Sequence, residues 1–149
     1  MRAWIQEKVG VRLNTVVAIS GYFDPLHVGH LEYIKLASGL GDHLIAIINN
    51  DVQSKLKKGK SFYPEWDRLE IVFALKYVNE VIISQDMDLS VTRTLEIIKP
   101  NIFANGGDRH RGEIPETEVC NRLGIRIVDG LGEKIRSSSD FTGLKLRQS

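Results

Sequence analysis

Gly21-Tyr22-Phe23-Asp24-Pro25-Leu26-His27-Val28-Gly29-His30 joins the end of an apolar run to the start of an amphipathic one, and carries two imidazoles three positions apart. Upstream, Thr15-Val16-Val17-Ala18-Ile19 is β-branched and almost wholly apolar, the composition of a strand covered on both faces in a parallel sheet. Downstream, Val28, Leu31, Ile34 and Leu40 recur near helical spacing, and Gly41 supplies a stop. The junction therefore lies at a strand's carboxyl end and a helix's amino end, where free backbone N–H groups and the helix dipole favour an anion. Two histidines there add hydrogen-bond donors for phosphate oxygens. Histidines are also metal ligands, but a metal site normally recruits further His, Cys or carboxylate groups, and His43 and His110 stand isolated in sequence. Asp24 has two readings, a brace for the turn or a direct part in the chemistry.

Strand-like and helix-like runs alternate along the rest of the chain. Leu44 to Ile48 reads as the second strand, Val81 to Ile83 as a short third, Ile102 to Ala104 as the fourth and Ile125 to Val128 as the fifth. Pro64 to Tyr77 reads as a helix, with Glu65 and Asp67 suiting the dipole and Leu69, Val72 and Phe73 on one face. Val91, Leu95 and Ile98 mark another, stopped by Pro100; a further one opens at Pro115, runs through Val119 and Leu123 and ends at Gly124. Repeated β/α units with right-handed crossovers imply an α/β fold, a doubly wound parallel sheet of about five strands. Ligands in that architecture bind beyond the strands' carboxyl ends, where the histidine junction sits. No repeat, low-complexity tract or linker interrupts the pattern, so residues 1–149 are expected to form one domain.

A chain of 149 residues is long enough to bury a core, and its 42% hydrophobic and 26% charged residues are ordinary for a globular protein. A net charge of +1 lacks the basic excess of a nucleic-acid surface. Cys120 is the only cysteine, which excludes an intrachain disulfide and fits a reducing cytoplasm. No run approaches the roughly 18 consecutive apolar residues of a membrane span, and the first residues lack a secretory apolar core. Neither a nucleic acid nor a membrane is expected as a partner.

Three further stretches bear on phosphate chemistry. Asn105-Gly106-Gly107-Asp108 follows the fourth strand, where two glycines let the backbone approach a ligand and the carboxylate can accept from ribose hydroxyls or a base amino group. The same stretch also reads as a tight turn with Asp108 in solvent. Arg136-Ser137-Ser138-Ser139-Asp140-Phe141 places serines before a helical run, where capping and a phosphate cradle can coexist. Lys55, Lys57, Lys58 and Lys60 form a basic loop before Pro64, either a solvated face or a source of ammonium groups for a triphosphate. Arg68 lies in the following helix, where a surface salt bridge is the plain alternative to a ligand contact.

The histidine junction resembles the H-x-G-H motif of the cytidylyltransferase-like nucleotidyltransferases, here His27-Val28-Gly29-His30 preceded by Gly21-Tyr22-Phe23-Asp24. The resemblance is closest to heptose-phosphate adenylyltransferase domains, which have a Gly-Gly-Asp where Gly106, Gly107 and Asp108 stand and a stretch like Glu113-Ile114-Pro115-Glu116. It implies transfer of a nucleoside monophosphate from a nucleoside triphosphate to a small phosphate ester, a sugar phosphate in the closest case, with release of pyrophosphate. It implies His27, His30 and Lys58 as catalytic groups. Nucleotide binding falls to Tyr22, Phe23, Asp24, Gly29, Lys57, Arg68, Gly106, Gly107, Asp108, Arg136, Ser137, Ser138 and Ser139. Mg²⁺ is expected to accompany the triphosphate, without a dedicated set of protein ligands. A homodimer is also expected, from the resemblance and from the apolar Trp4, Ile5 and Val9. Arg109 stands where those enzymes often have an aromatic residue, Asn105 replaces a frequent lysine, and serines replace threonines. These departures leave the transfer class standing and bear on the choice of base and acceptor; the Gly-Gly-Asp resemblance makes ATP the expected donor, with a glycerol-phosphate cytidylyltransferase as the enzymatic alternative. A non-catalytic nucleotide-binding module is the other alternative, against which the retention of the whole set of phosphate-facing residues argues.

Overall fold

Val16, Val17, Ala18 and Ile19 are each at most 3% exposed, because alternate side chains enter two different cores on opposite faces of one central strand. The computed structural model describes residues 14–106 and 114–132. In chain order these form β1 (Val16–Gly21), α1 (Val28–Ser38), β2 (His43–Ile48), α2 (Asp51–Lys58), α3 (Glu65–Phe73) and β3 (Glu80–Ile83), then α4 (Thr92–Ile98), β4 (Ile102–Gly106), α5 (Thr117–Leu123) and β5 (Arg126–Leu131). All five strands are parallel, in the order β3-β2-β1-β4-β5. The expected doubly wound α/β sheet is present.

The order reverses at β1, whose register with β2 runs from Val16 opposite His43 to Gly21 opposite Ile48. On one face Val17, Ile19, Ala46 and Ile48 pack with Ile34 and Ala37 of α1 and Val72 of α3. On the other face Val16, Ala18, Ile45, Ile47 and Phe103 pack with Leu95 of α4 and with Val119 and Cys120 of α5. The sheet thus separates two helix layers, and the gap beyond the β1 and β4 ends is the crevice that this topology opens to ligands.

Three element readings change. The basic stretch taken as a loop is a helix, α2. Asn50 accepts the Gln53 N–H at 2.9 Å while the Gln53 side chain accepts the Asn50 N–H at 3.0 Å, a reciprocal cap. Gly59, at φ 90°, ends the helix in the left-handed region that glycine enters without steric cost. The helix expected over 64–77 is shorter, with Pro64 at its N-cap and Ala74 at its C-cap, so Lys76 and Tyr77 lie in the turn before β3. α1 ends at Ser38, three residues before Gly41, with Gly39 as its C-cap.

Candidate active site

The carboxyl ends of β1, β2 and β4 open into a cleft of about 830 Å³. Its lining brings together Tyr22, Phe23, Asp24, His27, His30, Lys57, Lys58 and Gly106, all singled out by sequence.

His27 is the N-cap of α1, in extended backbone geometry. Its Nδ1 accepts the Gly29 N–H at 3.0 Å, and Nδ1 of His30 accepts the His27 N–H at 3.1 Å. A ring nitrogen that accepts has no proton, so each neutral ring carries its hydrogen on Nε2. Burial pulls His27 below the ordinary histidine value; burial, with the nearby His27 adding to it, pulls His30 down to about 4. Near neutral pH the pair is uncharged, and the rings stack with centroids 4.0 Å apart. Beneath them Phe23 takes φ 49°, a conformation that a bulky residue keeps only when its surroundings hold it. Its ring meets His30 edge-on at 5.1 Å and fills the space over Gly21, where an added Cβ would lie 2.9 Å from Phe23 Cζ.

Asp24 is a brace, acting across the chain and not within its own turn. Oδ2 accepts the Phe62 N–H at 2.9 Å and Oδ1 accepts the Tyr63 N–H at 3.0 Å, while Lys58 Nζ lies 3.2 Å from Oδ2. Burial alone would raise this carboxyl, but those two amides and Lys58 outweigh it and hold the group below the usual carboxylate range. Asp24 therefore fixes Lys58 and the chain after Gly59 at the cleft mouth. Lys57 and Lys58 place their ammonium groups 5.2 and 5.6 Å from the centre of the Tyr22 ring. The Tyr22 hydroxyl is buried with no hydrogen-bond partner among the described residues, and burial raises its pKa against the opposing charge of Arg68.

Arg68 has no exposed surface, which removes the surface salt-bridge reading. Its guanidinium donates to the carbonyls of Tyr63 at 2.9 Å, Tyr22 at 3.0 Å and Asn49 at 2.7 Å, and to Asp51 Oδ1 at 2.7 Å. Placed behind the cleft lining, it ties the β1 and β2 ends to the first turn of α2 and the residues before α3. A planar fork of donors can satisfy several strand-end carbonyls at once, which a lysine cannot.

Leu89, Val91, Pro115 and Glu116 form the wall on the α4 and α5 side. Fully buried Gln53 holds it by donating to the carbonyls of Asp88 at 2.6 Å and Ser90 at 2.8 Å. Glu116 Oε2 accepts the Val91 N–H at 2.9 Å. Cys120, one turn along α5, is pushed up to about 11 by burial and then by Glu116, so it stays a thiol and is no nucleophile. Sequence reasoning missed Gln53 as a support, although Asn50-x-x-Gln53 is a cap pattern, and saw Glu116 only as part of a resemblance. No group of three or more His, Cys, Asp or Glu side chains able to hold a metal occurs among the described residues. Gly107, Asp108, Arg109, Arg136, Ser137, Ser138 and Ser139 lie outside the described residues, as do Trp4, Ile5 and Val9. None of the described helices is long and apolar enough to cross a membrane.

Residues 18–129 match the family model described as cytidylyltransferase-like. The FAD synthase of Pyrococcus abyssi is 38% identical over 112 residues, covering 74% of this chain and 75% of the relative. The bifunctional protein HldE of Citrifermentans bemidjiense is 36% identical over 140 residues, 85% of this chain but only 28% of that protein. The crystal structure of a lipopolysaccharide core biosynthesis protein from Thermoplasma volcanium superposes with a TM-score of 0.66 at 28% identity, covering 78% of this chain and 95% of that one. The matched segment begins inside β1 and ends inside β5, so it contains the reciprocal imidazole cap, the lysine helix and the crevice between β1 and β4. The chain belongs to the cytidylyltransferase-like family of nucleotidyltransferases.

Proposed function

We propose that the protein is an adenylyltransferase that moves AMP from ATP to the phosphate of a small phosphorylated acceptor, with flavin mononucleotide as the first acceptor to test. The observation that carries the transfer chemistry is the reciprocal cap of His27 and His30, which presents neutral imidazoles with Nε2–H donors at a helix amino end inside the cleft. An acceptor phosphate oxygen attacks the α-phosphorus, the bond from that phosphorus to the oxygen bridging it to the β-phosphorus breaks, and its electron pair leaves with pyrophosphate. Such transfer depends on positioning and on donors aimed at developing charge, and needs no covalent enzyme intermediate. The imidazole donors meet the transferring phosphoryl group, while Lys57 and Lys58, beside the Tyr22 ring, attend the departing pyrophosphate. MgATP is the substrate form, with phosphate oxygens as the principal ligands of the ion. Arg136 and Ser137 to Ser139 are assigned to the triphosphate, and Gly106, Gly107 and Asp108 to the nucleoside.

Two relatives support this choice of donor and acceptor. FAD is AMP joined through its phosphate to flavin mononucleotide, and the Pyrococcus abyssi relative is an FAD synthase. A sugar phosphate is the second reading, favoured by the Gly106-Gly107-Asp108 resemblance and by the HldE relative. The test is pyrophosphate release from ATP and from CTP with flavin mononucleotide and with a panel of phosphorylated sugars and polyols. ATP with one of these acceptors is expected to turn over. A tenfold advantage for CTP in kcat/KM overturns the adenylyl assignment, and no release with any pair overturns the transfer reading.

A further inference from the structure

Glu116 is a buried carboxylate that the transfer chemistry leaves unused. The residue is 4% exposed, and one of its oxygens is committed: Oε2 accepts the Val91 N–H at 2.9 Å, which ties the start of α5 to the start of α4. Oε1 is buried and has no hydrogen-bond partner among the described residues. An unpaired carboxylate oxygen away from water is costly, and the cost is relieved when a ligand brings the donor. Glu116 lines the same cleft as the imidazoles, but across the sheet from them, because α1 packs on one face and α4 and α5 on the other.

Charge decides what can meet it. A carboxylate repels phosphate, and the cleft's imidazoles belong to the α1 face, so Glu116 faces a neutral, donor-bearing part of a substrate. Its neighbours on this wall, Leu89 at 53% exposure and exposed Pro115, are apolar. A single acceptor between apolar surfaces suits the edge of a flat ring with one N–H better than a polyol, which would need a partner for each hydroxyl.

We propose that Glu116 selects the acceptor: Oε1 takes a hydrogen bond from an N–H borne on a ring remote from the acceptor's phosphate. The inference rests on the nucleotidyl-transfer reading and goes beyond it by assigning the acceptor, and not the nucleotide, to the α4–α5 wall. Glu116→Gln keeps a carbonyl oxygen for the Val91 N–H and replaces the unpaired acceptor with an NH₂ donor. In steady-state pyrophosphate release by the full chain, this variant is expected to raise KM for flavin mononucleotide about 10- to 100-fold, the loss typical of a hydrogen bond to a charged group, with KM for ATP moving less than about twofold. The second arm changes the ligand and leaves the fold alone: flavin mononucleotide methylated at its ring N–H is expected to be a comparably poor acceptor for the parent protein. In Glu116→Gln the penalty for that methyl group is expected to shrink. An equal penalty in both proteins, unchanged acceptor kinetics in the variant, or a shift confined to ATP overturns the inference while transfer itself stands. Turnover with a hexose phosphate but not with flavin mononucleotide also overturns it. If no acceptor supports release, the transfer reading falls first and takes this one with it.

Discussion

At His30 the imidazole proposed to act in transfer is also a piece of helix architecture, because Nδ1 is spent on the His27 N–H and only Nε2 is left to carry the hydrogen. Replacing it with alanine removes both functions. His30→Ala is expected to lower kcat by about 10² to 10³ with a much smaller effect on nucleotide affinity, as for loss of one donor to developing charge. Steady-state and binding measurements on the same sample check it. His30→Asn separates the two functions, since an amide oxygen can replace Nδ1 at the cap while no Nε2–H remains; kcat is expected to fall as far, with stability preserved. The depressed titration has its own signature. Folded His30 protonates at about 4 against 6.5 for the ordinary group, so between those values the unfolded chain binds a proton that the folded chain refuses. Stability contributed in this way is complete above about 6.5 and is lost as the pH falls towards 4. Urea midpoints are expected to decline across that window, less steeply in His30→Asn; a flat profile in the parent protein contradicts the buried neutral imidazole.

At the scale of elements, α2 shows what the sequence could and could not disclose. Its lysines are patent, but a run of Lys55, Lys57, Lys58 and Lys60 has no apolar period to mark a helix, so charge masked structure. The cap was legible in Asn50 and Gln53, while its dependence on distant carbonyls was not: Asn50 Nδ2 reaches Ser84 O at 3.0 Å and Asp86 O at 2.8 Å. Strands and their order of appearance were readable because β-branched apolar runs are local signals, whereas the burial of Arg68 depends on three carbonyls brought together only by folding. Glu116 was similarly opaque, since proline followed by glutamate reads as an ordinary helix opening. Asn50→Ala is expected to destabilise the protein by about 2 kcal/mol, the upper end for a lost cap, because two tertiary bonds go with it. KM for ATP should rise in the same variant, since Lys57 and Lys58 occupy the last turn of the helix. Denaturation midpoints and ATP titration test the pair, and a stable variant with unchanged KM would show that the cap does not position the lysines.

At the scale of the whole molecule, Val52 and Leu56 on α2 and Trp66 and Phe73 on α3 are 48–64% exposed, more apolar surface than two neighbouring helices need for themselves. Together with the amino-terminal Trp4, Ile5 and Val9, this motivates the expectation of a homodimer. Light scattering at micromolar concentration is expected to return twice the chain mass, and substitution of Trp66 by a charged residue to shift it towards the monomer; a parent protein that runs as a monomer discards the dimer. The separation of the two helix layers by the sheet bears on how such a protein can change over evolutionary time. Substitutions more than about 7–10 Å apart with no shared partner have nearly additive effects. Where that condition holds, the layer of α4 and α5 can be remodelled with little effect on α1 and its imidazole cap. One scaffold can then diverge into enzymes with different second substrates without ever passing through an ancestor that has lost its phosphate chemistry.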